Sequence, residues 1–437
     1  MKPYAGISAS VPHPSNKRIL DLAASLLAAA LLLATAAAQT TVLYSFNDTT
    51  GLINSPKGAL VADAAGNFYG AAGSGGDGNG YGGIFELTAP ATKGGHWAES
   101  TLYVFTGGAD GGYEGCCVLY GDLILDASGN LYGTTPAGGI GNGVVFELSP
   151  PAISGGSWTE TVLYAFANAS DGGAPVSTLV FDKSGNLYGT ASGGGTGGGG
   201  TVFQLTPPTT SGGTWGFNTL FSFSNAKDSP GGCDPEAGLL AGPSGSFYGT
   251  TVGCGTNGGG VAFQLTPPAS GGSWTETVIH TFGFRNGTGD GNFSTAALVQ
   301  GARGVLYGTT QEGGTSGLGT VYSLTPPATS GGKWTEAVIH NFDTDANFPT
   351  AAVTLTGTGA IYGTAGFGGT NFSGIVYKLT PPTVSGDSWT ETIIVTFANG
   401  GPGPSSAQGA LLLSNGTLYG TSEFGGAYGW GTVFKLF

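Results

Sequence analysis

Oxygen-bearing side chains recur at close spacing in Asp63-Ala64-Ala65-Gly66-Asn67, Asp126-Ala127-Ser128-Gly129-Asn130 and Asp182-Lys183-Ser184-Gly185-Asn186. Oxygen ligands in such a pattern suit a hard cation such as calcium. They equally suit a tight hairpin, in which glycine takes the left-handed position and Asp and Asn side chains bond nearby backbone N–H groups. Two related segments decide between these. Gly242-Pro243-Ser244-Gly245-Ser246 and Thr356-Gly357-Thr358-Gly359-Ala360 keep the glycine and lose the carboxylate. A turn tolerates that loss and a metal site does not. The segments are therefore read as hairpins, and neither a metal nor a cofactor is expected.

A pair of carboxylates flanking a sugar could act as general acid and general base. Asp110 and Asp171, each five residues after a phenylalanine (Phe105, Phe166), are the first suspects. Asp228 holds the same offset from Phe223, which points to a repeated structural position more than to a unique active site. His280 and His340 occupy a slot held elsewhere by Tyr44, Tyr103 and Tyr164, inside a strand, and His96 precedes Trp97 at a hairpin. A Ser-His-Asp triad or a His-rich metal centre has no material here. Glycine runs such as Gly193-Gly194-Gly195 lack the lysine and helix that a phosphate cradle needs.

The element that must carry these residues is a repeat. Tyr-Gly-(Thr/Ala) occurs at Tyr69, Tyr132, Tyr188, Tyr248, Tyr307, Tyr362 and Tyr419, at intervals of 63, 56, 60, 59, 55 and 57 residues. Such regularity means one supersecondary unit copied seven times. In the second copy Leu123-Ile124-Leu125-Asp126, Asn130-Leu131-Tyr132-Gly133-Thr134-Thr135, Val144-Val145-Phe146-Glu147-Leu148 and Trp158-Thr159-Glu160-Thr161-Val162-Leu163-Tyr164 have strand length and composition, bounded by Gly, Pro, Asp or Asn. Pro-Pro pairs such as Pro150-Pro151 fall between the third and fourth segments as rigid spacers. The chain is 86 residues glycine, yet it has no Gly-X-Y period and is 11% aromatic, which excludes collagen and a solvated coil.

Four antiparallel strands per unit and seven units predict an all-β fold, a seven-bladed β-propeller spanning residues 39–437 as one domain. The start Thr41-Val42-Leu43-Tyr44-Ser45-Phe46 is a fourth segment alone, and the end Gly431-Thr432-Val433-Phe434-Lys435-Leu436 is a third segment lacking its fourth. The N-terminal strand is thus expected to close the last blade and hide both edges. Ahead of it, Lys17 and Arg18, the apolar residues 22–33 and Ala36-Ala37-Ala38 have the form of a signal peptide over 1–38. Its removal leaves nine basic and 25 acidic residues, a net of −16. Nucleic acid and anionic membrane surfaces are disfavoured partners, and no membrane insertion is expected after cleavage.

The run Phe-x(n)-Asp-Gly, Leu-x-x-Asp-x-x-Gly-Asn-Leu-Tyr-Gly-Thr-Thr, Gly-Gly and Gly-Thr-Val-Phe-x-Leu resembles the Gloeo-Verruco (GloVer) tandem repeat of exported bacterial proteins. The Asp-x-x-Gly-Asn-x-Tyr hairpin is also similar, more weakly, to turns in NHL and gluconolactonase-like propellers. The resemblance implies secretion, with extracellular, cell-surface or periplasmic placement, and implies no particular reaction. It covers residues 41–437, although the Asp-x-x-Gly-Asn turn decays in later copies and no C-terminal anchor follows.

In that compartment the cysteines become informative. Cys233 lies in the loop entering the first strand of the fourth unit and Cys254 in the loop leaving its second, so a Cys233–Cys254 disulfide is expected. Adjacent Cys116 and Cys117 could form a vicinal bridge. The loops entering first strands and leaving second strands must share one face of the disc. They carry the carboxylates Asp110, Glu114, Asp171, Asp228, Asp234, Glu236, Asp290, Glu312, Asp345 and Glu423, together with the aromatics Tyr81, Tyr113, Phe293, Phe367, Phe372, Phe424, Tyr428 and Trp430. Acids among aromatic platforms suit a sugar or a cation. The expected role is a monomeric, non-catalytic binding or cell-surface interaction module, with carbohydrate or another surface protein as partner. A propeller-type polysaccharide lyase or glycoside hydrolase is the alternative, and a purely structural envelope protein a further one.

Overall fold

Each Tyr-Gly step sits on the second strand of a four-stranded antiparallel sheet, and its residues hold the fold in distinct ways. The glycine pairs directly with an aromatic residue of the third strand: Gly133 with Phe146, Gly189 with Phe203, Gly249 with Phe263, Gly308 with Tyr322, and likewise in all seven copies. The ring occupies the space a side chain would need. A Cβ on Gly133 would stand 2.6 Å from Phe146 Cζ. The same ring meets, edge-on, the phenylalanine that ends the outer strand of the preceding blade. Centroid distances are 5.0 Å for Phe46–Phe85, 5.3 Å for Phe105–Phe146 and 5.2 Å for Phe166–Phe203.

The threonine reaches across to the following blade. Its hydroxyl donates to a backbone carbonyl there: Thr134 to Ser177 (3.1 Å), Thr190 to Ala237 (3.1 Å), Thr250 to Ser294 (2.9 Å), Thr309 to Ala351 (3.1 Å), Thr364 to Gly409 (3.0 Å) and Thr421 to Gly58 (2.7 Å). Blade 1 has Ala71 at this place and lacks the hydroxyl. There the Ala59 N–H donates instead to Asp122 of blade 2, at 2.6 Å. The tyrosine packs on the neighbouring blade and points its hydroxyl at its own hairpin, Tyr188 to Asp182 at 3.0 Å.

These contacts belong to a computed structural model that describes residues 40–47, 53–75, 80–92, 94–112, 121–153, 155–210, 212–226, 228–283, 290–329, 331–343, 346–369, 371–384, 386–398 and 400–436. Residues 1–38, expected to be a signal peptide, and Tyr113, Glu114, Cys116, Cys117 and Asp345 lie outside them. Seven four-stranded antiparallel sheets form a seven-bladed propeller. Blade 3 is representative, with strands Val180–Phe181, Leu187–Ala191, Gly198–Thr206 and Gly216–Ser224. Blade 7 takes Leu412–Ser414, Thr417–Ser422 and Thr432–Leu436 from the C-terminus, and its outer strand is Thr41–Ser45. Thr41 pairs with Lys435 and Ser45 with Thr432, so the expected closure is present. Blade 1 carries an additional strand, Ile53–Pro56, on the edge of its second strand.

Burial is organised between blades. Seven apolar clusters each join one blade to the next, and the closing one brings Val433, Leu412 and Tyr419 of blade 7 onto Leu60, Phe68 and Phe85 of blade 1. Strands apolar on both faces follow from this arrangement.

The Asp-x-x-Gly-Asn segments are the hairpins between first and second strands. Asp126 Oδ1 accepts the N–H groups of Ser128 (2.8 Å) and Asn130 (2.9 Å), Oδ2 accepts Asn130 Nδ2 (2.9 Å), and Gly129 has φ of 87°. The carboxylate is fully engaged by its own turn. Where it is missing, blades 4 and 5 use two consecutive left-handed residues instead, Ser244-Gly245 and Arg303-Gly304. Cys233 and Cys254 form a disulfide with Cα atoms 5.2 Å apart, joining the two loops at one end of blade 4. Among the described residues no helix is long and apolar enough to cross a membrane.

If the glycine–ring contact sets the blade geometry, Gly133→Ala should destabilise the fold by about 1–3 kcal/mol, the usual cost of overpacking. Chemical denaturation of the variant measures it; an unchanged midpoint would contradict the assignment.

Candidate functional site

The face shared by the loops entering first strands and leaving second strands is built by pairing those loops. Gly291–Asn292 pairs with Glu312–Gly313, Ala346–Asn347 with Phe367–Gly368, and Pro404–Ser405 with Phe424–Gly425. Single bridges Gly173↔Gly193 and Cys233↔Gly253 do the same in blades 3 and 4. A left-handed, non-glycine residue stands at one place in six of these loops: Ser55, Ala174, Asp234, Phe293, Phe348 and Ser406, with φ between 50° and 59°. Strain repeated in this way has a structural cause. The N–H of each donates to the preceding blade's loop, as Ala174 to Asn142 (2.9 Å), Asp234 to Gly199 (2.9 Å) and Ser406 to Ser373 (2.8 Å). The carbonyls of Ala174, Asp234, Phe293 and Ser406 accept from their own blade. The result is a hydrogen-bonded belt around the mouth.

Inside the belt lies an axial cavity of about 540 Å³, to which all seven blades contribute. Its wall mixes small apolar residues with polar ones. Lys57, Val176, Glu236, Thr295, Thr350 and Gln408 stand four residues before their respective inner strands, and Asp122, Thr178, Gln311, Gly238, Ala297 and Ala352 complete much of it. Asp122 is held by the Ala59 N–H, and its own N–H donates to the Thr178 hydroxyl at 2.9 Å. Burial raises its pKa, against the hydrogen bonds that favour the charged form. Burial also raises Glu236, with the charge of Asp234 adding to it. Lys57 Nζ lies 2.9 Å from Glu423 Oε1, and Gln408 Nε2 donates to Glu423 Oε2 at 2.9 Å.

The carboxylates expected on this face have different fates. Asp110 accepts the Tyr103 hydroxyl (2.9 Å), the Thr106 N–H (2.9 Å) and the Thr106 hydroxyl (2.6 Å). Asp171 accepts the Tyr164 hydroxyl (3.0 Å) and two backbone N–H groups, which bring its pKa below the ordinary range despite partial burial. Asp290 accepts the N–H groups of Gly283 (3.0 Å) and Gly291 (2.8 Å) and faces His280 Nε2 at 3.4 Å. These three staple the end of an outer strand to the loop that follows. Asp228 is exposed with φ of 63°, and Glu312 accepts Asn292 Nδ2 at 3.4 Å. Among the described acids expected on this face, Glu236 itself lines the axis and Glu423 reaches that lining through Lys57 and Gln408.

The exposed aromatics gather on two adjacent blades. Phe367 (48%), Phe372 (73%), Phe424 (48%), Tyr428 (62%) and Trp430 (39%) belong to the second-to-third-strand loops of blades 6 and 7, where blade 3 has mostly glycine. Beside them is a hollow of about 490 Å³ lined by Gly400, Pro402, Ser405, Phe424, Ala427 and Gly429.

Two strongly perturbed acids lie elsewhere, in the Trp-Thr-Glu segments of the outer strands. Glu160 is pushed up to about 7 by burial and then by the charge of Asp110; Glu276 is pushed up to about 7 by burial. Each has a buried Oε1 without a hydrogen-bond partner among the described residues. A carboxyl raised in the fold binds more protons there than in the unfolded chain, so stability is lost as pH rises from about 4.5 to about 7. Glu160→Gln and Glu276→Gln should each stabilise the protein near pH 8 by roughly 1 kcal/mol after allowance for solvent screening, and change little near pH 4. Denaturant titrations at the two pH values check the sign.

Set beside known proteins, the chain is similar to a crystal structure of a protein of unknown function from Dyadobacter fermentans (14% identity, 82% of this chain and 98% of that one, TM-score 0.40). It is similar to a putative oxidoreductase (glucose dehydrogenase) from Thermus thermophilus (15% identity, 92% and 100%, TM-score 0.38). It is also similar to Trypanosoma rangeli sialidase in complex with sialic acid (11% identity, 91% of this chain, TM-score 0.42), whose chain it spans over 58%. No curated protein sequence matches it. The family model for the Gloeobacter/Verrucomicrobia repeat matches residues 31–231.

Proposed function

We propose that the protein is an exported, non-catalytic binding module that takes carbohydrate on the loop face of blades 6 and 7. The observation that carries this is the clustering of Phe367, Phe372, Phe424, Tyr428 and Trp430 on neighbouring loops, beside a hollow of about 490 Å³. Exposed apolar surface concentrated in one place marks an interaction site. Aromatic faces give sugar rings an apolar platform, while Ser405 and the glycine-rich backbone of the hollow supply polar partners. The Cys233–Cys254 bridge supports an oxidising compartment. The engagement of Asp110 and Asp171 in their own loops favours binding over hydrolysis, since neither carboxylate is left to serve as acid or base.

A glycan-array screen of residues 39–437, followed by calorimetry on the best polysaccharide, tests the reading. Phe424→Ala and Tyr428→Ala should each weaken binding by about tenfold, as central aromatic contacts do, with the thermal midpoint unchanged. Retention of no glycan, or wild-type affinity in the double variant, would sink it.

A further inference from the structure

The axial cavity is a second site, separate from the aromatic loops, and its chemistry differs from theirs. The residues lining it include no aromatic side chain. Gly58, Gly238, Ala297, Ala352 and Ala410 keep it open, and its volume of about 540 Å³ falls in the range of small-molecule sites.

Charge on this wall is unbalanced. Lys57 is the one cation among the residues lining the cavity, and Glu423 binds it at 2.9 Å. Asp122 has the Ala59 N–H, whereas Glu236 makes no ion pair or hydrogen bond among the described residues. A half-buried carboxylate without a partner is costly. At the same position in the next blade, Thr295 has a buried hydroxyl, also without a hydrogen-bond partner among the described residues. The Thr295 oxygen is shut off from solvent, so it is Glu236 that opens on the cavity without a partner among the described residues, with Thr178, Thr350 and the amide of Gln311 in the same wall.

We infer that the axial cavity binds a small primary-ammonium compound, with Glu236 as its counter-ion. A primary ammonium has three N–H donors, matching carboxylate, hydroxyl and amide oxygens. A quaternary ammonium would want an aromatic cage, and the wall has none. An anion would meet Glu236 and Asp122 with Lys57 already engaged. The raised pKa of Glu236 supports the same conclusion, since an incoming cation would relieve the cost of its ionisation.

Calorimetry and ligand-observed NMR on residues 39–437 with 1,4-diaminobutane test this, with 1,4-butanediol, succinate and tetramethylammonium as controls. The diamine should bind at least about tenfold more tightly than any control, and Glu236→Gln should weaken it by about tenfold, the worth of one charged contact. Lys57→Met, which removes a competing cation and releases Glu423, should tighten it. Absence of diamine binding to the wild type, preference for succinate, equal binding of tetramethylammonium, or indifference to both substitutions would each overturn the inference. The selectivity of the wild type stands as a test even if a variant fails to fold.

Discussion

A glycine with an aromatic ring over it, and a second ring from the previous blade against that one, is the contact on which the rest of the molecule depends. It works only because glycine leaves the second strand bare where the Phe or Tyr of the third strand must lie, as at Gly363 under Tyr377, where a Cβ would sit 2.4 Å from the ring carbon Cζ. The contact ties two strands of one sheet together and, through the outer-strand phenylalanine, ties that sheet to its neighbour. With no helix layer over the sheets among the described residues, burial has to come from blade-on-blade packing, and the exposed strand positions are confined largely to the outer strands. The threonine hydroxyl adds direction, since it reaches from the second strand toward the axis end of the next blade. The substitution of Ala71 for this threonine is offset by Asp122, which explains why an acid stands beside the axis at blade 2.

Ring closure converts these pairwise contacts into a mouth. Because Thr41–Ser45 completes the sheet that ends at Leu436, blade 7 packs on blade 1 as any blade packs on the next, and the Thr421 hydroxyl finds the Gly58 carbonyl. The belt of left-handed residues then fixes the entering loops at equal spacing, so the residue two positions after each of them, such as Glu236 after Asp234, is presented to the axis. Function is free to vary at that slot because the belt, and not the slot itself, holds the loop. The aromatic loops of blades 6 and 7 give the belt backbone carbonyls, those of Ser373 and Trp430, so their side chains can change while their backbone is held. Structure and recognition are thereby assigned to different residues of the same repeat.

Much of this was legible in the sequence. The Tyr-Gly period gave the blade count, the incomplete first and last units gave the closure, and the loss of carboxylate with retention of glycine identified the hairpins. The Cys233–Cys254 pairing followed from the position of two loops on one hairpin. Three things were hidden. For the carboxylates Asp110 and Asp171 the repeat offset pointed to a structural position, but the tyrosine, histidine and backbone N–H groups that they and Asp290 hold could not be read from sequence. The left-handed belt was missed because its residues are Ser, Ala, Asp and Phe, with no glycine to mark them. Glu236 was legible as an acid of the loop face, but the axial slot it belongs to was not, because attention went to positions that repeat. Its signal was the opposite: Lys57, Val176, Glu236, Thr295, Thr350 and Gln408 vary at a place whose flanks hardly change.

The central claim is that a non-covalent N-terminal strand closes the ring and that the mouth depends on this closure. A chain beginning at residue 48, with and without an added synthetic peptide of residues 40–47, tests it most directly by thermal unfolding. A strand supplying one full sheet edge should be worth several degrees of midpoint in a domain of this size, on the order of 5 °C or more, and the peptide should restore it. An unaltered midpoint in the shortened chain, or a lowered one that the peptide fails to rescue, would contradict the account.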